Sequence, residues 1–188
     1  MTTMKTTAIS TGAERPVPEL RPARENELPQ LERMLEDARE RLRALGLTQW
    51  QSGYPNLETL AADVAAQRML VLARDDGALL AAGALCFGEE ESYREIDGCW
   101  LSDAPYATVH RLFTARDTLR CGCALQWLRA AETLCLSSGV HSLRADTHRG
   151  NAPMRALLER AGFRLCGVIR LCSSPEPDPE RLAYQKIL

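Results

Sequence analysis

The sequence predicts an α/β fold in which a central mixed β-sheet is flanked by helices, and three observations support this class. Strand-like and helix-like segments alternate in the second half of the chain, which favours parallel pairing there. Short turn signals separate strand-like segments elsewhere, which favours antiparallel hairpins. The 188 residues, 45% apolar and 26% charged, have the length and composition of one globular domain with a sizeable core.

The first half of the chain predicts a strand, two helices and a hairpin. In order, these are a strand at residues 19–23, a helix at 29–45, a helix at 57–67, and strands at 69–74 and 79–87. Gly46 stands where a helix would receive a C-terminal cap, and Asn56 suits the N-cap of the second helix. Asp75, Asp76 and Gly77 are typical of a hairpin turn.

The second half predicts strands and helices in alternation. In order, these are a strand at 106–114, a helix that opens at Leu119 or Arg120, a strand at 141–147, a helix capped by Asn151, and strands at 163–171 and 181–188. The stretch YATVHRLFT is rich in branched and aromatic residues, as strands are. Helical spacing predicts that the first of these helices buries Ala124, Trp127, Leu128, Ala131, Leu134 and Cys135.

Composition and termini exclude several classes of function. A net charge of −2 argues against nucleic acid or an anionic membrane as a main partner. No apolar run has the roughly 18 residues of a membrane-spanning helix, and the polar start lacks the core of a secretory signal. We therefore expect residues 1–18 to form a disordered tail, residues 19–188 to form one domain, and the protein to be cytoplasmic.

The cysteines predict free thiols. There are seven, an odd number, and none forms a C-x-x-C pair: Cys86, Cys99, Cys121, Cys123, Cys135, Cys166 and Cys172. A disulfide framework belongs to short secreted chains, and structural zinc usually takes paired ligands at two- to four-residue spacing. We expect neither a disulfide framework nor a metal site.

The stretch TLRCGCALQWL, Thr118 to Leu128, places a glycine between two cysteines at a predicted helix start. The first amides of a helix lack internal partners and carry the positive end of its dipole, so Gly122 would let an anion approach them. A helix start that only packs closely explains the glycine equally well. A third interpretation is a reactive thiol, because a helix N-terminus lowers a thiol pKa.

These residues resemble the GNAT acyltransferase superfamily, whose motif [RQ]-x-x-G-x-[GA] falls on Leu119 to Ala124. The glycine and the small last residue match, whereas Leu119 replaces the usual arginine or glutamine. Leu143 to Gly167 is similar to the family's strand, asparagine-capped helix and terminal GF. The loop QWQSGYPN and the ending RLAYQKIL are also similar to bacterial members, so the resemblance covers roughly Glu19 to Leu188.

The resemblance implies acetyl-CoA as the acyl donor and assigns residues to it. The pantetheine arm would contact backbone groups of Leu112, Phe113 and Thr114, and Asn151 would hydrogen-bond its amides. The pyrophosphate would lie on Leu119, Arg120, Cys121, Gly122, Cys123 and Ala124, with the cysteines acting as small fillers. The tyrosine that protonates the leaving thiolate in many members corresponds to Leu158, so that acid is missing.

Catalytic candidates lie on the strand at 106–114. Strand alternation predicts Tyr106, Thr108 and His110 on one face and Val109, Arg111 and Phe113 on the other. The resemblance places a base on the first face, and an imidazole titrates close to neutral pH, which suits His110 to take a proton from an ammonium. Tyr106 is a second catalytic candidate. The alternative for His110 is a histidine hydrogen-bonded within the sheet.

Candidate acceptor-binding residues come from three segments. Trp50 and Tyr54 would cover the acceptor, although Trp50 could instead fill the core. Thr108 shares the face of His110. Arg144 and Asp146 share a face of the neighbouring strand and would either recognise the acceptor or form an ion pair.

The leading hypothesis is an acetyl-CoA-dependent N-acyltransferase in which a primary amine attacks directly within a ternary complex. The acceptor would be a small-molecule amine or a protein amino group, and the resemblance makes a homodimer plausible. A catalytically silent acyl-CoA-binding regulatory module is the alternative, because of the residues at positions 119 and 158. A plain interaction domain is a third reading.

Overall fold

The computed structural model describes residues 17–172 and 175–188, so the predicted tail lies outside it except for Val17 and Pro18. The described elements are β1 (Glu19–Pro22), α1 (Leu28–Ala44), α2 (Leu57–Ala65), β2 (Met69–Ala73), β3 (Leu79–Phe87), β4 (Asp97–Gly98), β5 (Ala107–Thr114), α3 (Cys123–Ser137), β6 (Ser142–Thr147), α4 (Ala152–Arg160), β7 (Arg164–Arg170) and β8 (Glu180–Ile187). None of the helices in these ranges is long and apolar enough to cross a membrane.

The strands form one eight-stranded sheet in the order β1-β2-β3-β5-β6-β8-β7-β4. The pair β5–β6 is parallel, and the other neighbouring pairs are antiparallel. Since helices flank this mixed sheet, the predicted fold class is confirmed. Asn56 and Asn151 accept from the backbone amides of Thr59 and Met154, so both predicted N-caps are confirmed as well.

Two apolar clusters lie on opposite faces of the sheet. One contains the buried side of α3 together with residues of β5, β6 and β8, and Trp127 is fully buried at its centre. The indole Nε1 of Trp127 donates to the carbonyl of Leu70 at 3.0 Å, which satisfies its polar atom inside the core. The second cluster joins α1 and α2 to β2, β3 and the end of β5.

The start of α3 differs from the prediction, because the helix begins at Cys123 rather than at Leu119 or Arg120. Arg120 and Gly122 both have left-handed backbone angles, with φ of +61° and +82°, and such residues cannot continue into a right-handed helix. A single 3₁₀ turn at Arg116–Thr118 precedes them. The predicted buried face is also corrected at Leu134, which is 38% exposed.

A β-bulge at Arg111 interrupts β5. Arg111 has a φ of +52°, and β5 has two residues opposite Gly83, since Ala84 pairs with His110 while Ala82 pairs with Phe113. The extra residue reverses the alternation beyond it. Val109 therefore packs in the α3 cluster and Phe113 in the α1–α2 cluster, and the prediction that they share a face is wrong.

The side chain of Arg111 is held by Asp63 of α2. Its Nη2 and Nε lie 2.7 and 2.8 Å from Asp63 Oδ2, and its Nη1 donates to the hydroxyl of Tyr54 at 2.7 Å. The Asp63 side chain is 3% exposed, so the carboxylate depends on these partners and on a longer contact to Arg68. This ion pair fixes the bulge from the helical layer.

Beyond the bulge, β5 and β6 diverge. The two strands pair only from Ala107–Leu143 to Val109–Ala145, whereas β5 continues to Thr114 against β3 alone. Residues 110–114 therefore present one edge without a strand partner in the described chain. The gap between the two strands borders the candidate site.

We expect Asp63→Ala to lower the free energy of unfolding by about 3 to 5 kcal/mol, because it leaves the Arg111 guanidinium buried without its counterion. Denaturant unfolding followed by circular dichroism measures this. The matched control is Asp37→Ala, which removes a carboxylate 3.2 Å from the mostly exposed Arg116 and should cost less than about 1 kcal/mol. Equal losses in the two variants would contradict a special role for Asp63.

Candidate active site

A cleft of about 1050 Å³ follows the gap between β5 and β6. Its walls come from α1, the loop after α1, β5, the start of α3, the end of β6 and α4. Of the residues assigned from sequence, the cleft is lined by Trp50, Tyr54, Thr108, His110, Leu112, Phe113, Thr114, Leu119, Arg120, Gly122, Cys123, Ala124, Asp146 and Asn151. Tyr106, Cys121 and Arg144 do not line it.

One end of the cleft is the start of α3. Gly122 is the N-cap, and a Cβ built there would meet no atom within 4 Å, so the backbone is open to the cleft. The amides of the first turn have no acceptor within the helix and carry the positive end of its dipole. Arg120 adds a side-chain charge, while Leu119 is 42% exposed. This geometry suits an anion.

Asn151 is already engaged within the chain. Its Oδ1 accepts from Met154 N at 3.2 Å, and its Nδ2 donates to Gln49 Oε1 at 3.1 Å. One Nδ2 hydrogen remains available toward the cleft, so contact with a ligand stays a prediction. The partner, buried Gln49, was not foreseen from the sequence, since the two residues are 102 positions apart.

His110 lies in the wall of the cleft, and Glu90 contacts it. The His110 Nε2 is 3.1 Å from Glu90 Oε2, and the two side chains are 19% and 32% exposed. The hydrogen bond with His110 is the main reason that the pKa of the Glu90 carboxyl lies below its usual value, although burial opposes that shift. Sequence analysis missed Glu90, because it lies in an irregular charged stretch without periodicity.

The predictions that Tyr106 and Arg144 face the site are wrong, because both side chains pack inside the protein and neither lines the cleft. The Arg144 guanidinium carbon lies 3.9 Å from the ring centre of Trp100 and 3.8 Å from that of Tyr106, and Arg144 is 4% exposed. This cation–π stack and a hydrogen bond from Nη2 to the carbonyl of Ser102 stabilise the buried guanidinium, which has no carboxylate partner among the described residues. The Tyr106 hydroxyl accepts from the amide of Glu90 at 3.0 Å. Neither side chain reaches the cleft.

Asp146 and Thr108 do face the cleft. Asp146 Oδ1 accepts from the Tyr93 hydroxyl at 2.7 Å, and its Oδ2 is 4.0 Å from Arg181 Nε, so the predicted pair with Arg144 does not form. Burial and the nearby Asp146 carboxylate raise the pKa of Tyr93 well above its usual value, which keeps the hydroxyl protonated. Thr108 is 1% exposed, and its hydroxyl has no hydrogen-bond partner among the described residues.

The loop after α1 closes one side of the cleft. Trp50 packs edge-on against Phe113, with ring centres 6.5 Å apart, and its amide donates to Glu176 Oε1 at 2.8 Å. Glu176 also forms a buried ion pair with Arg181. Trp50 thus lines the cleft and packs against the α1–α2 cluster, combining the two roles considered for it.

The two cysteines beside Gly122 differ in environment. Cys123 is 7% exposed, and burial raises the pKa of its thiol, which contradicts a reactive thiol at that position. Cys121 is exposed outside the cleft. No group of three or more metal-ligating side chains occurs in the part of the chain that the structure describes.

We expect a maleimide to modify Cys121 at near-neutral pH much faster than Cys123, because only the first thiol is accessible. Mass spectrometry of the digested protein measures each site separately. Exposed Cys172 provides an internal reference for an accessible thiol. Faster modification of Cys123 than of Cys172 would restore the reactive-thiol interpretation.

Comparisons with known proteins identify the family of the chain. The model of the acetyltransferase (GNAT) family matches residues 30–163. A GNAT-family acetyltransferase structure from Streptococcus agalactiae 2603 is 32% identical, with 91% of this chain and 95% of that chain covered and a TM-score of 0.81. No curated protein matches the chain.

Two further structures share the fold at lower identity. The ribosomal-protein-alanine N-acetyltransferase of Brucella melitensis is 22% identical over 90% of this chain and 99% of that one, with a TM-score of 0.64. An acetyltransferase of Salmonella typhimurium that modifies the N-terminal serine of a 50S ribosomal subunit protein is 18% identical over 92% and 95%, also at 0.64. Taken with the family match, the cleft and its open glycine lead to one conclusion: the chain belongs to the GNAT acetyltransferase family, whose chemistry is acyl transfer from acetyl-CoA.

Proposed function

We propose that this protein transfers the acetyl group of acetyl-CoA to a primary amine by direct attack of the amine within a ternary complex. One observation carries the proposal: a single cleft contains both the anion-accepting start of α3 and the imidazole of His110. Donor and acceptor can therefore be bound together, which makes the attack effectively intramolecular.

The residues at the α3 end fit the phosphates of acetyl-CoA. Gly122 leaves the amides of the first turn accessible, and Arg120 lines the same end. Arg41 of α1 also lines the cleft; its Nη2 donates to Thr114 O at 3.0 Å, while its buried Nη1 has no partner among the described residues. These arginines supply positive charge for the phosphates although Leu119 replaces the arginine or glutamine of the family motif.

The unpaired edge of β5 fits the pantetheine arm. Backbone groups of residues 110–114 that point away from β3 have no strand partner in the described chain, so an extended amide-containing ligand can take the place of a strand. When bound, acetyl-CoA supplies an activated thioester. Asn151 is positioned by α4 and Gln49 to add one hydrogen bond.

His110 is the proposed base. An alkyl ammonium must lose a proton before it can attack, and the imidazole on the cleft wall is placed to accept that proton. Asp146, facing the same part of the cleft, favours a positively charged acceptor, and the Thr108 hydroxyl offers it a hydrogen bond. Leu158, at the position of the family's tyrosine, is a fully buried apolar side chain, so α4 provides no acid at that position. The leaving group is the sulfur of coenzyme A, and a thiol is acidic enough to leave as an anion.

Both a small-molecule amine and a protein amino group remain acceptors under this proposal. Two fold neighbours act on ribosomal proteins, but their identity of 22% and 18% links them to this chain by fold alone. The residues at positions 119 and 158 favour the second candidate function, an acyl-CoA-binding module without turnover. Binding without thiol release on any amine would identify it.

We further propose one domain over residues 19–188 and a cytoplasmic location. The first is supported by a sheet that takes strands from both ends of that range, and the second by seven free cysteines. A homodimer stays a prediction.

We expect Gly122→Val to abolish acetyl-CoA binding in calorimetry, because a branched side chain would fill the space in front of the α3 amides. Gly77→Val is the matched control: Gly77 has nearly the same φ, +84° against +82°, and equally open surroundings, but lies in the β2–β3 turn. The control should bind like the parent. Unchanged affinity in Gly122→Val would remove the phosphate assignment.

We expect His110→Gln to reduce turnover by about 10²- to 10⁴-fold, the usual contribution of a general base. The affinity for acetyl-CoA should not change, since His110 lies away from the phosphate end. Release of free thiol with a panel of amines measures turnover, and calorimetry measures binding. Parent-like turnover in this variant would exclude His110 as the base.

A further inference from the structure

We propose that Glu90 is a positioning residue that fixes the tautomer of His110, so that Nδ1 is the nitrogen that takes the proton of the acceptor amine. This inference rests on the proposed function, and it assigns a role to a residue of the loop between β3 and β4.

The contact between the two side chains determines which nitrogen is basic. Glu90 Oε2 lies 3.1 Å from His110 Nε2, and an ionised carboxylate can only accept a hydrogen bond. Nε2 must therefore carry the hydrogen. A neutral imidazole has one N–H, so the lone pair is on Nδ1, which has no hydrogen-bond partner among the described residues.

Glu90 is itself fixed on the backbone side. Its amide donates to the Tyr106 hydroxyl at 3.0 Å, and the Tyr106 ring packs against the guanidinium of Arg144. The ring of Tyr93 lies 6.4 Å from that of His110 and is tied to Asp146 through its hydroxyl. Tyr106 therefore contributes to the site without facing the cleft, because its hydroxyl binds the amide of Glu90 and Glu90 contacts His110.

The other charged or titratable groups around His110 have partners of their own. Asp146 is bonded to Tyr93 and lies near Arg181, and Arg111, next along β5, is paired with Asp63. Burial raises the pKa of Tyr93, which keeps its hydroxyl neutral, and burial also raises the pKa of Cys86 on β3. Within the described chain, Glu90 is the charged group in direct contact with the imidazole.

The acetyl transfer needs one proton acceptor, and His110 with Glu90 provides it. Nδ1 takes one proton from the acceptor ammonium, and the freed nitrogen lone pair attacks the thioester carbonyl to form the C–N bond. The C–S bond then breaks and the sulfur leaves with its electron pair. The attacking nitrogen gives its second proton to that thiolate, so the products are the neutral amide and the free thiol. The imidazolium that results is stabilised by the Glu90 carboxylate at Nε2. It returns its proton to solvent through Nδ1, which restores the starting tautomer.

Nitrogen-15 correlation spectra of the imidazole rings test the tautomer without turnover. The chain has three histidines, so His110→Gln identifies the signal of interest. We expect the neutral His110 of the parent to be protonated at Nε2, and Glu90→Ala to give a mixture of tautomers. A parent protonated at Nδ1, or a variant spectrum identical to the parent's, would overturn the proposal.

The pH dependence of kcat/KM for the amine tests whether the negative charge of Glu90 stabilises the protonated imidazole of His110. Glu90→Gln removes the anion beside the imidazolium, so the imidazole loses its proton at lower pH and the acidic limb moves to lower pH. We expect kcat/KM on the plateau to fall about 10- to 100-fold, the range for a lost hydrogen bond to a charged group, with acetyl-CoA affinity unchanged.

Glu91→Gln is the matched control. Glu91 follows Glu90 directly in the chain, but it is exposed and does not line the cleft. The control should keep the parent's pH dependence of kcat/KM. A shift equal to that of Glu90→Gln would mean that any negative charge in this loop has the same effect, and it would overturn the proposal. Failure of the proposed function is visible separately, as a parent that binds no acetyl-CoA or releases no thiol.

Discussion

The ion pair between Arg111 and Asp63 is the interaction on which the site depends. It holds a residue with left-handed backbone angles in the middle of β5, at a cost of about 1 to 2 kcal/mol for an L-residue. The bulge ends the pairing of β5 with β6 and directs Phe113 toward α1, where Trp50 packs on it. His110 is the residue immediately before the bulge, so the proposed base and the gap are placed by the same irregularity.

Contacts between distant parts of the sequence complete the cleft. The loop after α1 reaches α4 through Gln49 and Asn151, and it reaches the segment before β8 through the amide of Trp50 and Glu176. Arg181 then links Glu176 to the vicinity of Asp146. This side of the cleft is thus made of segments fixed to one another by polar contacts, most of them buried.

Local signals in the sequence were sufficient for most of the regular elements, but not for the two-residue strand β4. Apolar spacing located the helices, and Asn56 and Asn151 marked the starts of α2 and α4, whereas α3 begins at Cys123 rather than at Leu119 or Arg120. Long-range features were not accessible in this way. The alternation rule assumes an uninterrupted strand, so it failed beyond Arg111, and nothing in the sequence near Arg144 indicates that Trp100 and Tyr106 enclose it. Glu90 meets His110 only because a loop without periodicity folds back on β5.

The fixed separation of β5 and β6 has a thermodynamic consequence. Because α2 holds the bulge through Asp63, the strand edges are already apart in the protein alone, and no β5–β6 hydrogen bonds have to be broken when a ligand enters. The conformational free energy of opening is therefore met during folding rather than during association. The edge of β5 beside the cleft is preorganised, and its affinity for an extended ligand reflects the contacts themselves.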